Sequence, residues 1–204
     1  ARIIQRHDTL LVEDDPYGDL RYEGQALPTL KSLAPEHVVY IGTLSKIFAP
    51  GLRLGYCVAP AAIRDWLVLV KQGVDLHSGT YGQALAAEYI SGGYLERHLP
   101  RIIELYRPRK DAMLDALAGA FPTGFDWSRP EGGMFVWVEG PAGMDMRALY
   151  ARAVDNGVAY VPGQFFFIDP TIGRHTLRLN FTMADSPTLK HAIDLLADVM
   201  RRYG

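Results

Sequence analysis

Apolar residues along this chain change their period several times, and each change predicts a different element. Residues 10–13 (LLVE) form a short apolar run that ends at Asp14-Asp15-Pro16; proline has no N–H for a ladder, so a strand stops there. Residues 37–42 (HVVYIG) are β-branched and aromatic, the texture of a buried strand. Residues 53–59 (RLGYCVA) read as a third strand, closed by Pro60. Helical spacing follows in Ile63, Trp66, Leu67 and Val70, then in the Ala-rich residues 81–90, which Gly92-Gly93 breaks. Residues 94–121 are the longest helical stretch, and Pro100 and Pro108 predict a kink or a boundary in it.

After Pro122 the texture changes. Residues 134–138 (MFVWV) read as a strand behind the Gly132-Gly133 turn. Residues 145–156 predict a short helix, capped by Asp145 or the residue before it, with Gly157 just past its end. Residues 158–161 read as extended. In residues 176–181 (TLRLNF), alternation puts Leu177 and Leu179 on one strand face and Arg178 and Asn180 on the other. Ser186-Pro187 predicts a helix with Ser at the N-cap, running to residue 202. The fold class is therefore α/β: α/β layers over residues 1–95, then a smaller α+β unit over 96–204 that begins with the long helix.

Composition narrows the function classes. The chain has 204 residues, 49% of them hydrophobic, as in an ordinary globular protein of one or two domains. A net charge of −2 argues against nucleic acid as a partner. No apolar run approaches the roughly 18 residues of a membrane span. The single cysteine, Cys57, excludes an internal disulfide framework and a multi-cysteine zinc site, and fits a cytoplasmic protein. The histidines show no paired metal-ligand spacing. Cys57, Trp66, Trp127 and Trp137 read as core, and Phe165-Phe166-Phe167 as core or a dimer contact. The opening residues ARII carry no initiator Met or signal peptide and read as the middle of a longer protein.

Three segments carry chemistry. Gly42-Thr43-Leu44-Ser45-Lys46 follows a strand, and Arg53 comes seven residues after Lys46. Two hydroxyls and a guanidinium make a phosphate receptor, and a lysine beside one can form a Schiff base. Asp14 ends the first strand, where a carboxylate can pair with a protonated ring nitrogen; Tyr17 can hydrogen-bond an oxygen on the same ring. Arg178, among apolar neighbours, suits a carboxylate. Each segment alone also fits a plainer role: a solvated loop lysine, a turn acid pair before proline, an outward-facing arginine.

Together, their order and spacing are similar to the pyridoxal-phosphate-dependent aminotransferases of fold type I, class I/II. The branch containing 2-aminoadipate and broad-specificity aminotransferases is the nearest. The resemblance rests on VEDDPYGDLRY (12–22), GTLSKIFAPGLRLGY (42–56), EGGMFVWV (131–138), YVPG (160–163) and LRLNFT (177–182), and it spans essentially the whole chain. It implies the C-terminal part of the large domain followed by the small α+β domain. It makes Lys46 the Schiff-base lysine that moves the substrate proton. Asp14, chosen over Asp15 by the three-residue step to Tyr17, becomes the ring-nitrogen partner, and Tyr17 the donor to the ring oxygen. Thr43, Ser45 and Arg53 hold the phosphate, and Arg178 receives the substrate α-carboxylate. The implied substrates are an amino acid and a 2-oxo acid, and the implied assembly is a homodimer.

Members of that family run to roughly twice this length, so the resemblance implies a C-terminal half. The glycine/serine-rich phosphate turn, the ring-stacking aromatic and the asparagine of the family's other half have no counterpart here. Two other functions share these motifs: the effector-binding domain of MocR-type transcriptional regulators, and related pyridoxal-phosphate lyases. A winged-helix segment upstream would mark the regulator, and kinetics with several amino acids would mark the lyase.

Overall fold

The computed structural model describes residues 1–203. They gather into two compact units that divide after Ile102. The first holds α1 (Arg2–Arg6), β1 (Leu11–Asp14), α2 (Leu30–Leu33), β2 (Val38–Thr43), β3 (Gly55–Val58), α3 (Ala61–Val74) and α4 (Thr80–Ser91). Its sheet runs β1-β2-β3. β1 and β2 are parallel, with Leu11 opposite Val38 and Asp14 opposite Ile41; β3 is antiparallel, with Thr43 opposite Gly55.

One face of this sheet has a small core, in which Ile4, Ala34 and Val38 are buried together and Leu11 and Leu30 pack against them. Strand alternation turns Leu11 and Glu13 to the more buried side and leaves Val12 and Asp14 exposed. The other face is apolar and open. β3 and α3 contain no buried residue. Val12, Ile41, Leu67 and Val70 line an apolar groove of about 1000 Å³. The expectations for Cys57 and Trp66 therefore fail: Cys57 is exposed and Trp66 is 69% exposed, because no described residue covers their side. The third strand also starts later than its sequence suggests. A 3₁₀ turn at Pro50–Leu52 is followed by Arg53 at φ 52°, ψ 42°, a left-handed conformation that cannot continue into a strand.

α5 (Tyr94–Ala120) runs from the first unit into the second and stays helical through Pro100 and Pro108. Each proline removes one backbone donor, while Ile102, Met113 and Leu117 anchor the helix by burial. The second unit continues with β4 (Asp126–Trp127), β5 (Phe135–Glu139), α6 (Met146–Asp155), β6 (Val161–Pro162), β7 (Thr176–Asn180) and α7 (Ser186–Tyr203). The sheet is antiparallel in the order β4-β5-β7-β6. Val136 and Val138 lie opposite Leu179 and Leu177. All four are buried, as are Met146, Leu149 and Ala153 of α6 and Leu189, Ile193 and Leu196 of α7. Each large apolar side chain so buried contributes about 1.5–3 kcal/mol.

Two local expectations change, and a third, the cap of α6, resolves to the first of its two candidates. Of residues 158–161, only Val161 pairs with β7, and Pro162 extends the pairing. α6 is capped by Asp145, which accepts from the N–H groups of Arg147 and Ala148 at 3.0 and 3.1 Å. α7 is capped by Asp185 rather than Ser186: Asp185 accepts from Thr188 N–H at 3.0 Å, and Ser186 sits inside the helix. A carboxylate is a good acceptor at a positive helix end. No helix among the described residues is long and apolar enough to cross a membrane.

Candidate active site

In the first unit the candidate groups stand at the carboxyl ends of the parallel strands β1 and β2, where α/β sheets open their crevices. β1 and the residue that follows it deliver three acids in succession. Glu13 accepts from the backbone N–H of Leu30 and of Lys31 at 2.8 and 2.9 Å, at the start of α2. Asp15 accepts from the Tyr40 hydroxyl at 3.2 Å. Burial, and after it the neighbouring Tyr56 and Asp15, pushes the Tyr40 phenol above its ordinary range, so it remains a donor. Asp14, between them, is exposed and makes no side-chain hydrogen bond or ion pair among the described residues.

β2 ends in a tight turn. Thr43 Oγ1 accepts from Ser45 N–H at 3.1 Å and donates to the Leu54 carbonyl at 3.3 Å. Leu44 N–H donates to the same carbonyl at 3.1 Å. These bonds fasten residues 43–45 next to Arg53. The left-handed backbone of Arg53 costs roughly 1–2 kcal/mol. Its exposed guanidinium donates from Nη1 to the Pro50 carbonyl at 3.3 Å and has its other donors open to an anion.

Lys46 follows in this turn. Its ammonium makes no hydrogen bond or ion pair among the described residues, and Nζ lies 6.0 Å from the centroid of the Tyr17 ring. The loop after β1 and the loop after β2 thus converge on one another. The Lys46 loop is braced from α4: Phe48 stacks on Tyr89 at 4.0 Å, and the Tyr89 hydroxyl donates to the Ile47 carbonyl at 3.5 Å. Ile47 is buried.

Arg178 belongs to the second unit. Alternation along β7 places it opposite the buried Leu177 and Leu179, on the half-open face with Asn180. It lies opposite Trp137 on β5 and Val161 on β6. Its guanidinium carbon sits over the Phe135 ring at 3.9 Å and over the Phe166 ring at 4.6 Å. Its Nε is buried without a hydrogen-bond partner. No described residue forms an ion pair with it.

Several supporting residues escape a reading of the sequence. Tyr40 ties down Asp15, and Tyr89 braces the lysine turn from 42 residues away, a contact that no local pattern announces. Phe165, Phe166 and Phe167, expected in a core or a dimer contact, are 61%, 49% and 39% exposed and so do not form a core of this chain; Phe166 and Phe167 adjoin Trp137. Phe135 does have a sequence signal, since it shares its strand face with Trp137. Among the described residues no cluster of His, Cys, Asp or Glu could hold a metal ion.

Comparison with known proteins gives the family. Residues 1–196 match the family model "Aminotransferase class I and II". The chain is 44% identical to aromatic-amino-acid aminotransferase 1 of Thermococcus litoralis, covering 98% of this chain and 48% of that protein. The crystal structure of a multiple substrate aminotransferase from Thermococcus profundus superposes with a TM-score of 0.95 at 44% identity, over 98% of this chain and 50% of that one. The alpha-aminoadipate aminotransferase of Thermus thermophilus, complexed with N-(5'-phosphopyridoxyl)-L-leucine, superposes at 0.91 with 36% identity, over 98% and 52%. An uncharacterised HTH-type transcriptional regulator of Bacillus subtilis is 31% identical over 94% of this chain and 39% of its own length. The chain thus spans about half the length of the relatives it matches.

Proposed function

The chain belongs to the class I and II aminotransferases, and on that premise we propose that it carries the reactive lysine of a pyridoxal-phosphate-dependent enzyme. The reaction is the transfer of an amino group between an L-amino acid and a 2-oxo acid. The observation that carries this reading is the unpartnered Lys46 ammonium 6.0 Å from the Tyr17 ring, in the same strand-end crevice as the unpartnered Asp14.

The donor set fits the cofactor. Asp14 has no protein partner and is free to pair with a ring nitrogen, whereas Glu13 and Asp15 are both engaged. The hydroxyls of Thr43 and Ser45 and the guanidinium of Arg53 match a phosphate. Tyr17 offers a phenol beside Lys46. When bound, pyridoxal phosphate supplies an electron sink for the pair released when a substrate Cα–H bond breaks. Lys46 Nζ would anchor the cofactor and, once the substrate amine has displaced it, would take the proton from the substrate Cα and hand it on to the cofactor side of the shared nitrogen, with water supplying the oxo oxygen. Asp14 holds the ring nitrogen protonated, and Arg178 receives the substrate α-carboxylate. The first unit is read as the C-terminal part of the cofactor-binding domain and the second as the small domain. The protein is read as a cytoplasmic homodimer that serves amino-acid biosynthesis.

The regulator reading has weaker support, because the regulator likeness is 31% against 44% for an aminotransferase. Amino transfer from several amino acids to 2-oxoglutarate, assayed with the full-length protein and with Lys46→Ala, tests the proposal. Oxo-acid and new amino acid form in equal amounts with the first protein and not with the second. Turnover by Lys46→Ala overturns it, and release of free ammonia in place of a new amino acid points to a lyase.

A further inference from the structure

Resting on the proposed role of Arg178 as carboxylate receiver, we infer that Phe135 and Phe166 are positioning residues that hold its guanidinium ready for the substrate. A guanidinium is planar, with its donors around the rim and weakly hydrated faces. The Arg178 guanidinium carbon lies over two rings, at 3.9 and 4.6 Å, both well inside the range of cation–π attraction. The rings pack against the guanidinium, and neither supplies an acceptor for its donors.

No acid of the described residues neutralises this arginine, and its buried Nε has no acceptor. An arginine with a purely structural task is normally paired when it is buried. Here aromatic faces hold the charge in place without cancelling it, so the charge remains available to an incoming anion. The rings also restrict a side chain that otherwise has about 2 kcal/mol of rotamer entropy to lose on binding.

Phe166 is itself held in place. Trp137, directly across the ladder from Arg178, meets the Phe166 ring edge-on at 5.5 Å and 78°. The 3₁₀ turn Gly163–Phe166 approaches β7 so closely that a Cβ on Gly163 would collide with Thr176. That close approach sets where Phe166 stands.

The test is binding of 3-phenylpropionate, a carboxylate with no amine to react, to the full-length holoenzyme by calorimetry, together with steady-state kinetics. Phe166→Leu keeps bulk and loses the ring. It weakens the probe and raises KM for both amino acid and oxo acid by roughly tenfold, with kcat changed by less than about threefold. Phe166→Tyr, which keeps the ring face, recovers the affinity to within about twofold of the parent. Binding by Phe166→Leu equal to the parent's overturns the inference. Should that variant fail to fold, Phe135→Leu has the same expected loss and the same reversal. Arg178→Lys separates this inference from the reading beneath it. If Arg178→Lys loses the probe while the ring variants do not, Arg178 remains the carboxylate receiver and the ring inference falls. If Arg178→Lys binds the probe as well as the parent, the carboxylate role itself falls.

Discussion

Glu13, Asp14 and Asp15 carry the same functional group and meet three different fates. Alternation sends Glu13 inward to the backbone donors of α2, and Tyr40 occupies Asp15. Asp14 keeps its charge uncommitted. The sequence contains the acid pair before Pro16, but only the resemblance's step to Tyr17 separates Asp14 from Asp15 there; the structure supplies a physical reason in the partners of its neighbours. The expected outcome is asymmetric. Asp14→Asn lowers kcat by on the order of 10²-fold or more, the scale of losing one fixed electrostatic group at a reacting centre. Asp15→Asn, which can still accept from Tyr40, stays within about tenfold of the parent. Steady-state kinetics on both variants check this, and equal losses would remove the distinction. For Arg178 the strand face was legible from Leu177 and Leu179. Its aromatic partner Phe166 was not, because a 3₁₀ turn between β6 and β7 carries no period that a sequence reader can follow.

At the scale of elements, long periodic segments and caps were legible and turns were not. α6 is the clear case: Asp145 before it and Gly157, at φ 83°, after it mark both ends. The Asp145 carboxyl lies below its usual range: the Ala148 N–H lowers it most, burial opposes that next, and the hydrogen bond and charge of Arg174 and the Arg147 N–H carry the balance downward. A carboxyl lowered by folding stabilises above its unfolded pKa of about 3.9, and that contribution is lost as pH falls through the lower folded value. Asp145→Ala therefore costs about 1 kcal/mol near neutral pH, and the difference from the parent shrinks toward about pH 2. Urea unfolding at both pH values measures it. Gly163 makes the opposite point. Nothing in YVPG announces that a Cβ at residue 163 would strike Thr176. Gly163→Ala is expected to cost about 1–3 kcal/mol by overpacking and to raise KM for the carboxylate substrates by shifting Phe166. Unchanged unfolding and unchanged KM would contradict the close approach.

At the largest scale, the first unit carries an open apolar face. Trp66, Val70 and Val74 of α3 are 69%, 60% and 78% exposed, and Ile41 and Cys57 of the sheet are exposed on the same unit. In sequence, α3 and β3 look like buried elements, and that is why Trp66 and Cys57 read as core. Their periodicity reports the environment they are suited to, and within the described residues that environment is not filled. Patches of this size in isolated chains attract apolar partners. The 204-residue chain by itself is expected to brighten an apolar dye such as ANS and to self-associate in sedimentation velocity at micromolar concentration. Leu67→Lys with Val70→Lys, both in the groove, reduces both signals. A monodisperse monomer that leaves the dye dark would contradict the exposed face.

The central claim is that Lys46 is the reactive amine, and one measurement addresses it most directly. The full-length protein is loaded with pyridoxal phosphate, reduced with borohydride, digested and mapped by peptide mass. The account predicts a phosphopyridoxyl group on the peptide containing Thr43, Ser45 and Lys46, located on Lys46 and absent after Lys46→Ala. A group scattered over other lysines, or none at all, would contradict it.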